Sequence, residues 1–141
     1  MNLKVVTNPD FGDVQKIRKL VFCDEQGYSL NEEFDEYDDT AEHIVIYDGD
    51  NPISTGRIIK ESDHNFKIGR IAVKKEYRDK KVGRLLVENL VMRAKKSGAK
   101  TILLEAQTRV KEFYEKLGFS VCGAEYSDGR IPHIPMKMEL D

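Results

Sequence analysis

From Val82 to Ala94 apolar residues return every fourth position, at Val82, Leu86, Leu90 and Ala94, and Leu85, Val87 and Val91 widen the stripe. That period predicts an amphipathic helix over Val82–Lys96, which Ser97-Gly98 ends. A second stripe, Val14, Ile17 and Val21 with Phe11 and Leu20 beside it, predicts a helix from Phe11 to about Phe22, capped from the turn Asn8-Pro9-Asp10. Alternating or compact apolar runs predict strands at Leu3–Val6, His43–Tyr47, Ile53–Lys60 and Lys67–Val73. The second and third of these form a hairpin across Asp48-Gly49-Asp50-Asn51-Pro52. Thr101–Ala106 is apolar enough for a central strand covered on both faces. A helix capped by Thr108 then runs to about Leu117, Gly118 stops it, and Phe119–Glu125 and Ile134–Leu140 supply the last strands. Asn31–Asp35 fits a short helix in an acidic stretch expected to be a lid or wall rather than core.

The order strand, helix, strand from Lys67 to Ala106 requires a crossover and hence a parallel pair. The fold class is therefore α/β (α+β): a mixed, mostly antiparallel sheet of six to seven strands with about four helices. A chain of 141 residues predicts a single domain over residues 1–141, long enough to bury about two-thirds of its unfolded surface. Hydrophobic residues at 40% and charged residues at 34% place it with folded, water-soluble chains rather than disordered or membrane ones. The N-terminus, Met-Asn-Leu-Lys-Val-Val, lacks the pattern of a signal or transit peptide, so the cytoplasm is the default location. Cys23 and Cys122 read as reduced thiols, and His43, His64 and His133 stand too far apart for a zinc site, so no metal is expected.

Charge is distributed unevenly. No Lys or Arg occurs from Leu20 to Gly56, where Asp and Glu accumulate, whereas Lys74, Lys75, Arg78, Lys80, Lys81 and Arg84 crowd one short stretch. A molecule joining an anionic cofactor to a cationic acceptor suits that polarity. Nucleic acid is not an expected partner, because the chain is net acidic and its basic stretch lacks interleaved aromatics.

The basic stretch Tyr77–Leu86, Tyr-Arg-Asp-Lys-Lys-Val-Gly-Arg-Leu-Leu, joins a strand pattern to a helix start, where converging N–H groups and the positive end of the helix dipole favour a pyrophosphate. Downstream, the expected central strand leads into Gln107, Val110 and Phe113-Tyr114-Glu115-Lys116-Leu117-Gly118-Phe119. Together the two segments resemble the GNAT N-acetyltransferase superfamily, with its Arg/Gln-x-x-Gly-x-Gly/Ala loop after the fourth strand and its Phe-Tyr-Glu-Lys-x-Gly-Phe helix after the fifth. The likeness extends over nearly the whole chain in element order. Val21-Phe22, Glu25-Gln26-Gly27 and Glu33-Phe34-Asp35-Glu36-Tyr37-Asp38 further resemble a bacterial subgroup of small members.

The resemblance implies an acyl-CoA N-acyltransferase (GNAT) fold: a twisted sheet with helices on both faces, splayed between its fourth and fifth strands to admit acetyl-CoA. It implies transfer of acetyl to a primary amine by direct attack through a tetrahedral intermediate. Ile71, Ala72 and Val73 would pair with the pantetheine amides, and Arg78, Asp79, Lys80, Lys81, Val82, Gly83 and Arg84 would hold the pyrophosphate. Gln107 stands where the family usually has Asn, and Phe113 and Tyr114 would approach the thioester. Tyr114 would protonate the departing thiolate. The oxyanion would meet N–H groups of the fourth strand near Ile71–Val73. For the general base the resemblance fixes no residue: Glu25 is preferred, with Glu105 and His133 as alternatives. Lys81 departs from the pattern, standing where the family has its first loop glycine, and it either weakens the cradle or adds a compensating charge. The Asp24–Asp39 acids point to a cationic acceptor, a small molecule or a peptide amine. Pairing of two copies as a homodimer stays open, and the rival function is a coenzyme A-binding sensor or interaction module with little transferase activity.

Overall fold

The computed structural model of the chain describes residues 1–141. Its first strand, β1 (Leu3–Thr7), leads into α1 (Phe11–Arg18), whose first turn is closed by the Asp10 carboxylate accepting the Gly12 N–H at 2.9 Å. The helix does not end near Phe22. From Lys19 to Glu25 it widens into a π-helix that buries Val21 and Phe22 and ends at Gln26. There follow α2 (Leu30–Glu33), a 3₁₀ turn over Glu36–Asp39, the strands β2 (Glu42–Asp48), β3 (Asn51–Lys60) and β4 (Asn65–Val73), α3 (Val82–Lys96) and β5 (Thr101–Gln107). The chain closes with α4 (Lys111–Lys116), β6 (Ser120–Val121), β7 (Tyr126–Asp128) and β8 (Ile131–Glu139). No helix is long and apolar enough to cross a membrane.

The sheet runs β1-β2-β3-β4-β5-β8-β6, with β7 also on β8, and only β4 and β5 are parallel. It is the expected mostly antiparallel sheet, but with eight strands instead of six to seven. The difference lies in Phe119–Glu125, which is not one strand. A Cβ on Gly123 would come within 2.6 Å of Pro135 Cγ, so the proline ring lies closely against the Gly123 backbone. The chain leaves β8 after Cys122 and pairs with it again only at Tyr126, opposite His133.

Helices cover both faces of the sheet. On one face Leu86, Leu90 and Ala94 of α3 pack with Ile44, Ile46, Ile68 and Ile102, and Gly56 admits Leu90, whose Cδ1 lies 2.7 Å from where a Cβ would stand. On the other, Val14, Ile17, Val21 and Phe22 pack with Val45 and Ala72. The alternation of Ile44, Val45 and Ile46 between the two clusters is the period of a strand covered on both sides. β5 differs from its expected state. Ile102, Leu104 and Ala106 are buried, yet Glu105 on the opposite face is exposed, because the layer made by α1 and its π-helical extension does not reach over β5.

The acidic segment is also corrected. Three carboxylates, Glu33, Asp35 and Asp38, meet three guanidinium groups, Arg18, Arg57 and Arg70. Arg18 is fully buried, with Nε 2.9 Å from Glu33 Oε1 and Nη1 2.7 Å from Asp38 Oδ1, and its guanidinium lies 4.5 Å from the centre of the Phe34 ring. Arg57 reaches Asp35 at 2.7 Å and Asp38 at 2.9 Å. The segment is a wall, as expected, but it is clamped into the protein and its central charges are neutralised.

The clamp makes stability depend on pH. Hydrogen bonding to Arg57 holds the Asp35 carboxyl below its ordinary range. Burial alone would raise Asp38, but the hydrogen bonds and charges of Arg18 and Arg57 outweigh it and hold Asp38 low as well. Both contribute stability that is present above the ordinary carboxylate pKa and lost as pH falls through their depressed values. Burial pushes Glu33 the other way, so its contribution is present at low pH and fades as pH rises through its elevated pKa. Urea unfolding should give an unfolding free energy that falls as pH drops below the ordinary aspartate range, where Asp35 and Asp38 protonate. Replacing Asp35 and Asp38 together by Asn should flatten that dependence.

Candidate active site

β4 and β5 pair over only three positions, Asn65↔Thr101, Phe66↔Ile102 and Lys67↔Leu103, and then diverge. Beyond the last pair, β4 carries a bulge. Thr55 faces Ala72 while Arg57 faces Gly69, so Arg70 and Ile71 stand opposite Gly56 alone, and Arg70 takes a left-handed φ of 50°. An arginine is strained there. Its Nε donates to the Glu33 carbonyl at 3.0 Å and its Nη2 to Asp35 at 3.2 Å, so the clamp on the acidic segment also holds the bulge.

Between the diverging strands lies a cleft of about 1160 Å³. Ile71, Ala72 and Val73 line it from β4, on the edge that β5 has left. Arg78, Asp79, Lys81, Gly83 and Arg84 line it at the start of α3, and Gln107, Phe113 and Tyr114 across from them. Three predicted site residues stand elsewhere. Val82 is buried in the core, so only its backbone remains near the loop, and Lys80 turns outward, 5.8 Å from the centre of the Tyr77 ring. Glu25 is not on the cleft wall; its carboxylate pairs with Arg78 at 2.9 Å, while Arg78 Nε donates to the Val73 carbonyl at 3.0 Å. A carboxylate engaged in that way orients the loop arginine instead of facing an acceptor.

The loop keeps the backbone of a glycine-rich turn although Lys81 stands in place of its first glycine. Asp79 and Lys81 have φ of 62° and 65°, in the left-handed region, and Lys81 passes directly into helical Val82. Turns of this kind converge successive N–H groups on one point, where an anion binds. Gly83 faces Phe113 and Val73, whose nearest carbons lie 3.5 and 3.7 Å from where its Cβ would be.

At the end of β5, Gln107 Nε2 donates to Gln26 Oε1 at 2.9 Å, and Gln107 Oε1 accepts from Arg109 at 2.9 Å. Gln26 and Arg109 both line the cleft, and neither was expected as a site residue. The only signal for Gln26 is its place in Glu25-Gln26-Gly27. Thr108 does not cap a helix: Thr108–Val110 forms a 3₁₀ turn, α4 starts at Lys111, and the Thr108 hydroxyl is buried without a partner.

The Tyr114 ring is 7% exposed and packs edge-on against Phe113 and Phe119, with centroids 5.0 and 6.1 Å away. Its hydroxyl makes no hydrogen bond within the protein although the residue lines the cleft. Burial pushes the phenol pKa well above its usual value, so the hydroxyl stays protonated at neutral pH. At the other end, Tyr28 donates to the Asp128 carbonyl at 2.7 Å and Tyr126 to Glu105 Oε2 at 2.8 Å. His133, 8% exposed, lines the same end.

Residues 9–140 match the model of the family described as acetyltransferase (GNAT) domain. The chain belongs to the GNAT acetyltransferase family. It is 38% identical to the uncharacterized N-acetyltransferase YjcF of Bacillus subtilis over 88% of this chain and 89% of the relative. Escherichia coli ElaA superposes with a TM-score of 0.87 over 97% of this chain and 99% of its own, at 25% identity. A GNAT family acetyltransferase from Elizabethkingia anophelis with acetyl-CoA bound shares the fold at 15% identity, with a TM-score of 0.78 over 99% of both chains. The protein is thus an acyltransferase, and acetyl-CoA is the family's donor. The free edge of β4, the left-handed turn at Asp79 and Lys81, and the size of the cleft all fit that molecule.

Proposed function

We propose that the protein transfers acetyl from acetyl-CoA to a primary amine by direct attack on the thioester. The observation that carries this reading is the Tyr114 hydroxyl, protonated and without a protein partner, in a cleft whose opposite wall is the unpaired edge of β4. When bound, acetyl-CoA supplies the activated acetyl group. The turn from Arg78 to Arg84 holds its pyrophosphate, Ile71–Val73 align its pantetheine arm as an added strand would, and Gln107 and Phe113 border that arm. A GNAT family acetyltransferase of the same fold from Elizabethkingia anophelis has acetyl-CoA bound, which supports acetyl-CoA as the donor. Backbone N–H groups of β4 at Ile71–Val73 stabilise the developing oxyanion, and Tyr114 gives its proton to the departing sulfur.

Neutralisation of Glu33, Asp35 and Asp38 by arginines moves any attraction for a cationic acceptor to Glu32, Glu105 and Asp128, which line the open end. Thiol release from acetyl-CoA in the presence of a panel of primary amines tests the reading. At least one amine should be acetylated, with cationic amines favoured at low salt; binding of acetyl-CoA with no turnover across a broad panel would instead support a coenzyme A-binding module.

Lys81 supplies a separate test. Because its backbone already has the glycine-like conformation and its side chain is exposed, it does not obstruct the turn. Lys81→Gly should raise the unfolding free energy by about 1 kcal/mol by relieving the left-handed strain. It should also weaken acetyl-CoA binding several-fold in low salt, and less in high salt, through loss of the ammonium. Calorimetry at two ionic strengths reads the second effect, and tighter binding would show that the side chain hinders the cradle.

A further inference from the structure

We infer that His133, rather than Glu25 or Glu105, takes the proton from the acceptor amine; this rests on the acetyl-transfer reading above. His133 sits in β8 directly opposite Gln107, the last residue of β5, and lines the open end of the cleft. Its Nδ1 lies 2.9 Å from the Ile131 carbonyl, a group that only accepts, so in the neutral ring Nδ1 carries the proton and Nε2 carries the lone pair. Nε2 has no hydrogen-bond partner in the protein, yet it is not among the side-chain polar atoms sealed from solvent. A residue only 8% exposed therefore keeps one basic atom accessible, and the residue lines the cleft.

The surroundings hold that atom in place. The Tyr126 ring stacks on the imidazole, with 5.9 Å between centroids and 27° between planes, and its hydroxyl is tied to Glu105 Oε2 at 2.8 Å. The same bond occupies one oxygen of Glu105, whose other oxygen is 3.9 Å from Lys67 Nζ. Glu25 is paired with Arg78 and off the cleft wall. Of the three candidate bases, His133 alone combines burial, a fixed tautomer and an unpaired, accessible acceptor atom on a cleft-lining residue.

The protons balance as follows. An alkylammonium passes one proton to His133 Nε2, directly or through a water, and the imidazolium releases it to solvent. The neutral amine forms the C–N bond to the thioester carbon, the C–S bond breaks, and the sulfur takes the Tyr114 proton. The remaining surplus proton on nitrogen returns to the Tyr114 oxygen. One ammonium and one thioester yield one amide, one thiol and one proton, and both side chains end as they began.

A base of this kind matters for an acceptor that arrives charged and little for one that arrives neutral. Ethylamine and 2,2,2-trifluoroethylamine are close in size but far apart in basicity, and so separate the two cases. His133→Gln should lower kcat with ethylamine about 10²-fold or more and with trifluoroethylamine less than about tenfold, with acetyl-CoA affinity by calorimetry unchanged. An equal loss with both amines overturns the role of His133 and leaves acetyl transfer standing. No thiol release with these two amines or across the broad panel in the unsubstituted protein overturns the transfer reading and this inference with it. A readout free of activity and of any substitution is the long-range ¹⁵N–¹H NMR spectrum of the cofactor-free protein. The neutral His133 ring should carry its proton on Nδ1 and none on Nε2, and a proton on Nε2 would overturn the inference.

Discussion

Replacing Tyr114 by Phe is expected to lower the acetylation rate about 10²-fold to 10⁴-fold, the range for loss of a positioned proton donor, while leaving acetyl-CoA affinity and thermal stability nearly unchanged. The separation follows from where the hydroxyl is. The ring makes the packing contacts, against Phe113 and Phe119, and Phe retains them all. The hydroxyl makes no hydrogen bond within the protein, so its removal strands no buried partner. What Phe cannot do is donate to a thiolate. Steady-state kinetics, a calorimetric titration and a melting curve on the same variant check the three parts, and an unchanged kcat would remove Tyr114 from the chemistry.

The largest expected effect on stability lies away from the cleft, at Arg18. Its side chain is 1% exposed and reaches two carboxylates and the Glu33 carbonyl, the last at 2.6 Å. Arg18→Met keeps most of the volume but leaves Glu33 and Asp38 buried with one guanidinium fewer. Breaking a buried pair from one side costs about 3–5 kcal/mol; because Arg70 still faces Glu33 and Arg57 still faces Asp38, about 3 kcal/mol is the expected loss. Urea unfolding measures it. The exposed pair Arg84–Glu88, 3.4 Å apart on α3, should show almost no effect when broken. Arg18→Met should also lower turnover, since Glu33, which Arg18 fixes, holds Arg70 in the bulge beside the cleft.

The comparison of the two regions shows what kind of information a sequence carries. Helix α3 runs from Val82 to Lys96, the span its apolar period predicts, because a four-residue repeat and a terminal Gly98 are local signals. The widening of α1 into a π-helix is invisible, since over a single turn Val21 and Phe22 suit either winding. The break between β6 and β7 depends on the contact of Gly123 with Pro135, twelve residues apart in sequence, and no periodicity reports it. The acidic stretch looked like a solvent-facing surface because its partners, Arg18, Arg57 and Arg70, lie outside it in the chain.

For the site, the motif segments located the cleft walls, since Ile71–Val73, the Arg78–Arg84 turn, Gln107, Phe113 and Tyr114 are brought to one opening. The orientation of single side chains was not legible. Val82 faces the core and Lys80 the outside because helix phase and turn geometry decide them, and Glu25 turns to Arg78 because that cation lies within reach only in the folded protein. The unusual φ at Lys81 explains how a lysine occupies a glycine position: the backbone keeps its conformation and bears the strain.

Binding of acetyl-CoA between the splayed strands is tested most directly by an NMR titration of backbone amides with acetyl-CoA. Saturable shifts are predicted for Ile71–Val73 and for Lys81–Arg84, with the β1–β2 pair, remote from the cleft, unmoved. Saturable binding that leaves the β4 edge and the Lys81–Arg84 turn unshifted, or no binding at millimolar acetyl-CoA, would contradict it.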